Sequence, residues 1–212
     1  MKIDTQLQIL NRVNGANQIV FDYADKVKEE FESPVACLMG IAFGGEVEGI
    51  AKLWKDCGKV YGFDTFEDLH PKHLSEIKDS FASTCMDWWY ANEEYDVKHL
   101  AYDYQRGVLD DKGLDNATLI KGEVHKNSCK DIKEIHLAFM DMDMVESTRA
   151  GYSAIKDKMA KGGYLFLHDT QNIPGLTKWR DEVIKKDKSW KEIGEWGREL
   201  LVGFQKVCTK SS

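Results

Sequence analysis

The sequence has 212 residues, of which 42% are hydrophobic and 31% are charged, enough for one globular domain with a substantial core. Its formal net charge of −7 disfavours nucleic acid and anionic membrane surfaces as general partners. No apolar run approaches the length of a membrane span, and the opening stretch MKIDTQLQIL lacks the apolar segment of a signal peptide.

The five cysteines are odd in number and include no C-x-x-C pair, which disfavours a zinc ribbon and a disulfide framework. Cys37 and Cys208 lie in apolar runs and are expected in the core. These features favour a reducing compartment, so we expect a cytoplasmic protein with no membrane contact.

Helix and strand patterns alternate from the N-terminus. Apolar residues at helical spacing predict a helix over residues 19–31, stopped by Ser33-Pro34. Residues 34–40 (PVACLMG) then predict a buried strand, residues 47–54 a second helix, and residues 59–65 (KVYGFDT) a second strand.

The alternation continues after a less regular stretch. A helix is predicted over residues 99–107, a turn over 110–113, and strands over 116–122 (NATLIKG) and 135–141 (IHLAFMD). The next predicted elements are a helix over 148–159 that Gly162-Gly163 ends, a strand over 163–169, a helix marked by Leu176, Trp179 and Val183, and a hairpin over 190–207.

This order predicts an α/β fold: a Rossmann-like, mainly parallel seven-stranded sheet with helices on both faces and a C-terminal antiparallel hairpin. We expect a single domain over residues 1–212, with an N-terminal helical segment over 1–33 that is a candidate homodimer contact. Residues 66–113 are expected to form a helical insertion, whose aromatic Trp88-Trp89-Tyr90 is a candidate substrate cover and equally a hydrophobic cap.

Acidic residues recur where the predicted strands end, which is where ligands bind in such sheets. They are Asp64, Glu123, Asp141 with Asp143, and Asp169 beside His168. Asp141 and Asp143 stand one residue apart, and like charges that close raise each other's pKa unless a cation separates them. The pattern therefore predicts a positive charge nearby. Asp143 has an alternative interpretation as the cap of the next helix.

The first strand ends in the glycine loop GIAFGG, residues 40–45. Its spacing is not G-x-G-x-x-G, and no G-K-[ST] follows, so the common dinucleotide and P-loop motifs are absent from the sequence. Asp64 lies 64 − 45 = 19 residues beyond Gly45, and a carboxylate there can accept hydrogen bonds from ribose hydroxyls. A tight strand–helix turn is the alternative for the glycine loop, and a helix N-cap or a loop acid is the alternative for Asp64.

The stretches GIAFGGEVEGIAKLW, KVYGFDTFEDLHP, FMDMDMVESTRAG and KGGYLFLHDT together resemble class I S-adenosylmethionine-dependent methyltransferases of the macrocin-type small-molecule O-methyltransferase group. The resemblance covers residues 35–170. It implies a methyl transfer to a hydroxyl of a sugar or natural-product-like acceptor. The implied cofactor-binding residues are Gly40, Phe43, Gly44, Gly45, Asp64, Thr65, Phe66, Gly122, Glu123 and Asp141.

The resemblance also implies a divalent metal, Mg²⁺ or Mn²⁺, held by Asp141, His168 and Asp169. A metal would lower the pKa of the acceptor hydroxyl, and a base would take its proton. Asp141 and Asp143 are the candidate bases, with His168 as a further candidate.

Three positions depart from the family pattern. Leu38 replaces an acid before the glycine loop, Glu46 replaces a small residue after it, and His168 replaces the first acid of a pair. These departures leave a non-catalytic binding module as one alternative function. A nucleotide-dependent oxidoreductase is the other, although the glycine spacing disfavours it.

Overall fold

The computed structural model describes residues 15–66, 101–171 and 173–207. Much of the predicted insertion over 66–113, including Trp88-Trp89-Tyr90, lies outside the described residues, as do residues 1–14 and Cys208. The elements within the described ranges are numbered in chain order below.

Seven strands form one sheet. They are β1 (Val35–Met39), β2 (Lys59–Asp64), β3 (Ala117–Lys121), β4 (Ile135–Met140), β5 (Met159–His168), β6 (Trp190–Trp196) and β7 (Leu201–Lys206). Their spatial order is β3-β2-β1-β4-β5-β7-β6, with the first five parallel and β7 antiparallel to both β5 and β6. The predicted Rossmann-like sheet with a C-terminal hairpin is confirmed.

The sheet order places β1 at the point where the chain reverses its direction of winding. β1 pairs with β2 on one side and with β4 on the other, so Met39 faces Phe63 and Met140. The carboxyl ends of these strands therefore open at one crevice, which is where open α/β sheets bind ligands.

Helices cover both faces of the sheet. On one face lie α1 (Gly15–Glu30), α2 (Gly45–Leu53) and α3 (Tyr102–Asp111), and on the other lie α4 (Val145–Ile155) and α5 (Pro174–Trp179). Each face buries its own hydrophobic cluster, the first around Trp54 and Phe166 and the second around Phe63 and Phe204. None of the described helices is long and apolar enough to cross a membrane.

The predicted end of the fourth helix is wrong. α4 stops at Ile155, and Met159 already pairs with Ile135 as the first residue of β5. From this pair to the next, β4 advances by 137 − 135 = 2 residues and β5 by 164 − 159 = 5, and Gly162, with a φ of +87°, lies within the irregularity. Gly162-Gly163 therefore marks a bulge inside a strand and not a helix end.

Two other helix boundaries differ from the prediction. α3 runs through Gly107 to Asp111, so Asp110 lies in a helix and not in a turn, where Arg106 Nε donates to its Oδ1 at 2.9 Å. After α5 a π-helical turn covers Arg180–Ile184. Its wider turn moves the buried position by one residue, so Ile184 is fully buried while Val183 is 39% exposed.

Candidate active site

Four of the five parallel strands are followed by a residue in an unusual backbone conformation, all at one edge of the sheet. Five non-glycine residues of the described chain have a positive φ, and four of them follow parallel strands: Ala42, Phe66, Asp143 and Asp169. Each such conformation costs free energy, and such strain concentrates at functional sites. This clustering supports the strand ends as the functional region.

Gly40 lets the ends of β1 and β4 approach each other closely. Its φ is +76°, and a Cβ at this position would lie 1.8 Å from the backbone oxygen of Asp141. Only glycine adopts a positive φ without strain and has no Cβ to collide with this oxygen. The glycine loop and the first predicted acid of β4 are therefore in backbone contact.

Asp64 fastens the loops after β1 and β2 together. Its Oδ2 accepts a hydrogen bond from the backbone N–H of Ala42 at 3.0 Å, and its Oδ1 accepts one from the backbone N–H of Phe66 at 3.0 Å. Each carboxylate oxygen has two lone pairs, so Asp64 can accept further hydrogen bonds from a bound hydroxyl pair. The backbone of the two loops therefore fixes the position of Asp64, the residue predicted to bind the ribose.

Gln105 is a site residue that sequence reasoning missed. It lies on α3, is only 4% exposed, and its Nε2 donates to the backbone oxygen of Ala42. It also lies against Gly44, which adopts a left-handed conformation as the N-cap of α2. A glutamine on the buried face of the predicted third helix was the available signal.

The aromatic residues predicted to contact the cofactor have different environments. Phe43 is half-buried and lines a small cavity between α2 and α3 with Tyr104 and Leu109. Phe66 is 6% exposed, and its ring meets Tyr102 edge to face at a centroid distance of 5.2 Å. Thr65, the residue before Phe66, is exposed, and its hydroxyl donates to Oδ1 of Asp64 at 3.4 Å. Phe66 is therefore a packing residue beneath the surface of the site, while Thr65 faces the solvent.

Gly122 and Glu123 are exposed beyond the end of β3. They line a cleft of about 410 Å³, together with Phe63, Ile120, Lys121, His125, Asn127, Ser128 and Lys130. This volume is within the usual range of small-molecule sites. The cleft is large enough for the nucleobase that the resemblance places there.

The ends of β4 and β5 bring Asp141, His168 and Asp169 together. Nδ1 of His168 lies 3.1 Å from Oδ1 of Asp141 and 3.1 Å from Oδ2 of Asp169. Burial alone would lower the pKa of His168, but the charges and hydrogen bonds of the two carboxylates outweigh burial and raise it to about 11. The positive charge expected beside these acids is therefore present as the imidazolium of His168.

Asp143 belongs to the same group of side chains. Burial, and then the charges of Asp141 and Asp169, raise its pKa well above the usual value, and it hydrogen-bonds to Asp169. It does not cap α4, because Met144 occupies the N-cap position and no side-chain capping hydrogen bond is present there. The capping interpretation is therefore wrong, and Asp143 faces the acidic group.

Glu46 is a further acid beside Asp141 and His168. Burial raises its pKa, and the nearby charge of Asp141 raises it further, while a hydrogen bond with Asn17 of α1 acts in the opposite direction. Leu38, the other departure near the glycine loop, is fully buried in the core. Glu46 thus faces the site, and Leu38 does not.

The group fits a divalent cation. Asp141, His168 and Asp169 each offer one ligand atom, and these three atoms lie within 4.8 Å of one another. Their side chains are between 13% and 33% exposed, so solvent and a hydroxyl ligand can reach them. Two carboxylates with one imidazole suit Mn²⁺, Fe²⁺ or Zn²⁺ better than Mg²⁺, which prefers oxygen ligands.

No protein-family model matches the sequence, and no curated protein matches it. Solved structures do. The O-methyltransferase NovP has a TM-score of 0.68 at 18% identity, over 91% of this chain and 79% of NovP. The calicheamicin methyltransferase CalS11 has a TM-score of 0.64 at 18% identity, over 94% and 85%.

An rRNA methylase from Streptococcus thermophilus is also similar, with a TM-score of 0.54 at 17% identity over 88% of this chain and 95% of that protein. Identities this low establish the fold and leave the substrate open. Together with the strand order, they confirm that the chain has the fold of the class I S-adenosylmethionine-dependent methyltransferases that include NovP and CalS11.

Proposed function

We propose that the protein is an S-adenosylmethionine-dependent O-methyltransferase that methylates a hydroxyl of a small molecule, such as a sugar or a natural-product-like compound. The observation that carries this proposal is the meeting of two groups at one edge of the sheet. The Asp64–Ala42 connection fits a ribose, and the Asp141–His168–Asp169 group fits a hydroxyl and its cation. The CalS11 protein, which shares the fold, is a TDP-rhamnose 3'-O-methyltransferase.

The cofactor would lie along the ends of β1, β2 and β3. Gly40, Gly44 and Gly45 allow its methionine part to approach the backbone closely. Asp64 would accept hydrogen bonds from the ribose hydroxyls, with Thr65, Phe66 and Phe43 close by. Gly122 and Glu123 would flank the adenine in the adjoining cleft.

The acceptor hydroxyl would be activated at the ends of β4 and β5. When bound, S-adenosylmethionine supplies the methyl group on a sulfonium, and a divalent cation lowers the pKa of the hydroxyl and orients it. Asp141, His168 and Asp169 would hold the cation.

Asp143 is the strongest candidate for the base. Its pKa is raised by burial and by the charges of Asp141 and Asp169, and a carboxylate of raised pKa is a better proton acceptor. A cation held by Asp141 and Asp169 would offset their two charges and so favour the ionised form of Asp143, the form that can accept the hydroxyl proton. His168 is the weaker candidate, because it would itself hold the cation.

The net charge of −7 favours a small acceptor over RNA, although an rRNA methylase shares the fold. A homodimer through the N-terminal segment and a cytoplasmic location stay predictions. The oxidoreductase and binding-module alternatives predict no methyl transfer. An assay that follows the methyl group therefore separates the proposed function from both alternatives.

The assay would use S-adenosylmethionine labelled in its methyl group, a panel of nucleotide sugars, glycosides and phenols, and total RNA as a separate arm. Mass spectrometry of the small-molecule products should show one methyl added at an oxygen. The Asp141→Asn variant should not form that product. The Asp56→Asn variant, changed at an exposed position outside the proposed site, should still form it. Label in RNA alone, or in no acceptor although the cofactor binds, would contradict the proposal.

A further inference from the structure

One residue in a strained backbone conformation lies outside the parts of the chain that the proposed function uses. Leu200 has a φ of +54° and a ψ of +26°, and it follows the short 3-10 turn Gly197–Glu199 at the tip of the β6–β7 hairpin. A leucine in this left-handed region costs free energy, because its Cβ crowds the backbone. The hairpin therefore maintains a conformation that its own sequence disfavours.

Leu200 lies opposite Asp169 at the end of the β5–β7 ladder. The last pair of the ladder is His168 with Leu201. One residue further, the backbone N–H of Asp169 donates to the backbone oxygen of Leu200 at 2.9 Å. Asp169 is itself left-handed, with a φ of +55°. Two of the strained residues are thus hydrogen-bonded to each other where both chains leave the sheet.

The backbone conformation of Asp169 decides where its carboxylate lies. Successive side chains of a strand point to opposite faces, so a continued β5 would separate Asp169 from His168. Instead, Oδ2 of Asp169 lies 3.1 Å from Nδ1 of His168. The left-handed turn at Asp169 breaks the alternation and brings the two neighbouring side chains together. The hydrogen bond to Leu200 holds the backbone at this turn.

The tip of the hairpin is held on two sides. The ring of Trp196 covers two glycines of the hairpin, since an added Cβ would lie 2.7 Å from the ring at Gly194 and 3.0 Å from it at Gly203. From the segment after β5, Nε2 of Gln171 donates to the backbone oxygen of Leu201 at 3.3 Å. These contacts fix the position of the carbonyl that receives the Asp169 N–H.

We propose that Leu200 is a positioning residue for Asp169: its left-handed backbone presents the carbonyl that keeps the Asp169 carboxylate in the metal-binding group. The inference rests on the proposed function, in which Asp141, His168 and Asp169 hold a divalent cation. The role belongs to the backbone of Leu200 and not to its side chain, which is half-buried. Residues that tolerate the left-handed region can therefore replace Leu200, and residues that resist it cannot.

Substitutions at this one position separate the backbone from the side chain. Glycine and asparagine enter the left-handed region readily, whereas the β-branched valine resists it. In calorimetry, Leu200→Val should bind Mn²⁺ roughly 10- to 100-fold more weakly than the wild type, as is typical when a group that orients a metal ligand is lost. Leu200→Gly and Leu200→Asn should bind Mn²⁺ as the wild type does. Leu53→Val, at a half-buried position where α2 ends, is the matched control and should also bind normally.

A second measurement needs no metal. Amide hydrogen exchange of Asp169, followed by NMR in the metal-free protein, reports the hydrogen bond to Leu200 directly. Exchange should be faster in Leu200→Val than in the wild type and should stay slow in Leu200→Asn. If Leu200→Val does not fold, Gln171→Ala takes its place, because it removes the donor to Leu201 and should likewise speed exchange and weaken Mn²⁺ binding.

The outcomes distinguish this inference from the proposed function. Equal Mn²⁺ affinity of Leu200→Val and the wild type would overturn the inference. Weak binding by Leu200→Gly and Leu200→Asn as well would also overturn it, because the lost side chain would then be the cause. A wild type that binds no Mn²⁺ contradicts the metal site instead. The exchange rates then decide the inference: fast exchange in Leu200→Val alone supports it, and equal rates overturn it.

Discussion

The side chains of His168 and Asp141 join the ends of two neighbouring parallel strands, with Nδ1 of His168 3.1 Å from Oδ1 of Asp141. The imidazolium takes the position between the acids that a cation would share. A cation that binds there must displace the proton from His168, because a ligating histidine is neutral. Metal binding and proton release are therefore expected to be coupled.

Asp141→Asn should weaken Mn²⁺ binding by at least about tenfold, because it removes one anionic oxygen from the ligand set. Calorimetry of Mn²⁺ binding in buffers with different heats of ionisation would measure both the affinity and the protons released. Asp56→Asn removes the same charge at an exposed site and should bind Mn²⁺ as the wild type does. Equal affinity of Asp141→Asn and the wild type would remove Asp141 from the metal site.

Asp64→Ala should weaken S-adenosylhomocysteine binding by roughly a hundredfold, through lost hydrogen bonds to the ribose and a loosened Ala42 loop. Calorimetry would give both dissociation constants. Asp22→Ala is the matched control, since Asp22 lies on the exposed side of α1 and accepts a hydrogen bond only from Gln18 among the interactions described. An unchanged dissociation constant for Asp64→Ala would place the ribose elsewhere.

Gly40→Ala should be strongly destabilising, by about 3 kcal/mol or more, because its Cβ would collide with the backbone of Asp141 at a positive φ. Gly107→Ala provides the contrast. Gly107 lies inside α3 with nothing within 4 Å of the added Cβ, so alanine should stabilise by about 0.5–1 kcal/mol. Urea unfolding would measure both changes, and a Gly40→Ala protein as stable as the wild type would refute the close approach.

His136 should make stability depend on pH. Burial lowers its pKa, and its Nδ1 accepts a hydrogen bond from the backbone N–H of Val35 at 3.1 Å, so the folded protein holds it neutral. Its contribution to the free energy of unfolding is present above the ordinary histidine pKa of about 6.5. This contribution is lost as the pH falls below that value, because the unfolded state binds the proton more readily. The nearby Glu134 acts in the opposite direction and reduces this effect.

The urea midpoint of the wild type should therefore fall between pH 7 and pH 5 more steeply than that of His136→Asn. Asparagine retains an acceptor for the Val35 N–H but does not titrate. His125→Asn, at an exposed site, should keep the wild-type slope. Parallel curves for the wild type and His136→Asn would show that His136 does not titrate on unfolding.

The sequence was sufficient for the strands and for the acids at their ends. Apolar runs such as PVACLMG and IHLAFMD are short and continuous, as expected of strands buried on both faces, and Asp64 and Asp141 follow directly from where these runs stop. Boundaries that depend on tertiary contacts were not predictable. Gly162-Gly163 has the appearance of a helix end, and only its pairing with β4 reveals a bulge.

The electrostatics of the site were also beyond sequence reasoning. The pattern required a positive charge near Asp141, but the sequence did not indicate that His168 Nδ1 lies between two carboxylates. The same holds for Gln105, whose contact with Ala42 crosses 105 − 42 = 63 residues. Spacing identifies which residues share an edge of the sheet, whereas side-chain packing decides which of them touch.

The most direct test of the account is a calorimetric titration of the folded wild-type protein with S-adenosylmethionine, with a parallel titration of NADH. We predict one S-adenosylmethionine site with micromolar affinity, as expected for a site with a ribose carboxylate and a glycine loop, and no binding of NADH. If the folded protein binds no S-adenosylmethionine with or without Mn²⁺, or binds NADH instead, the proposed methyltransferase function is contradicted.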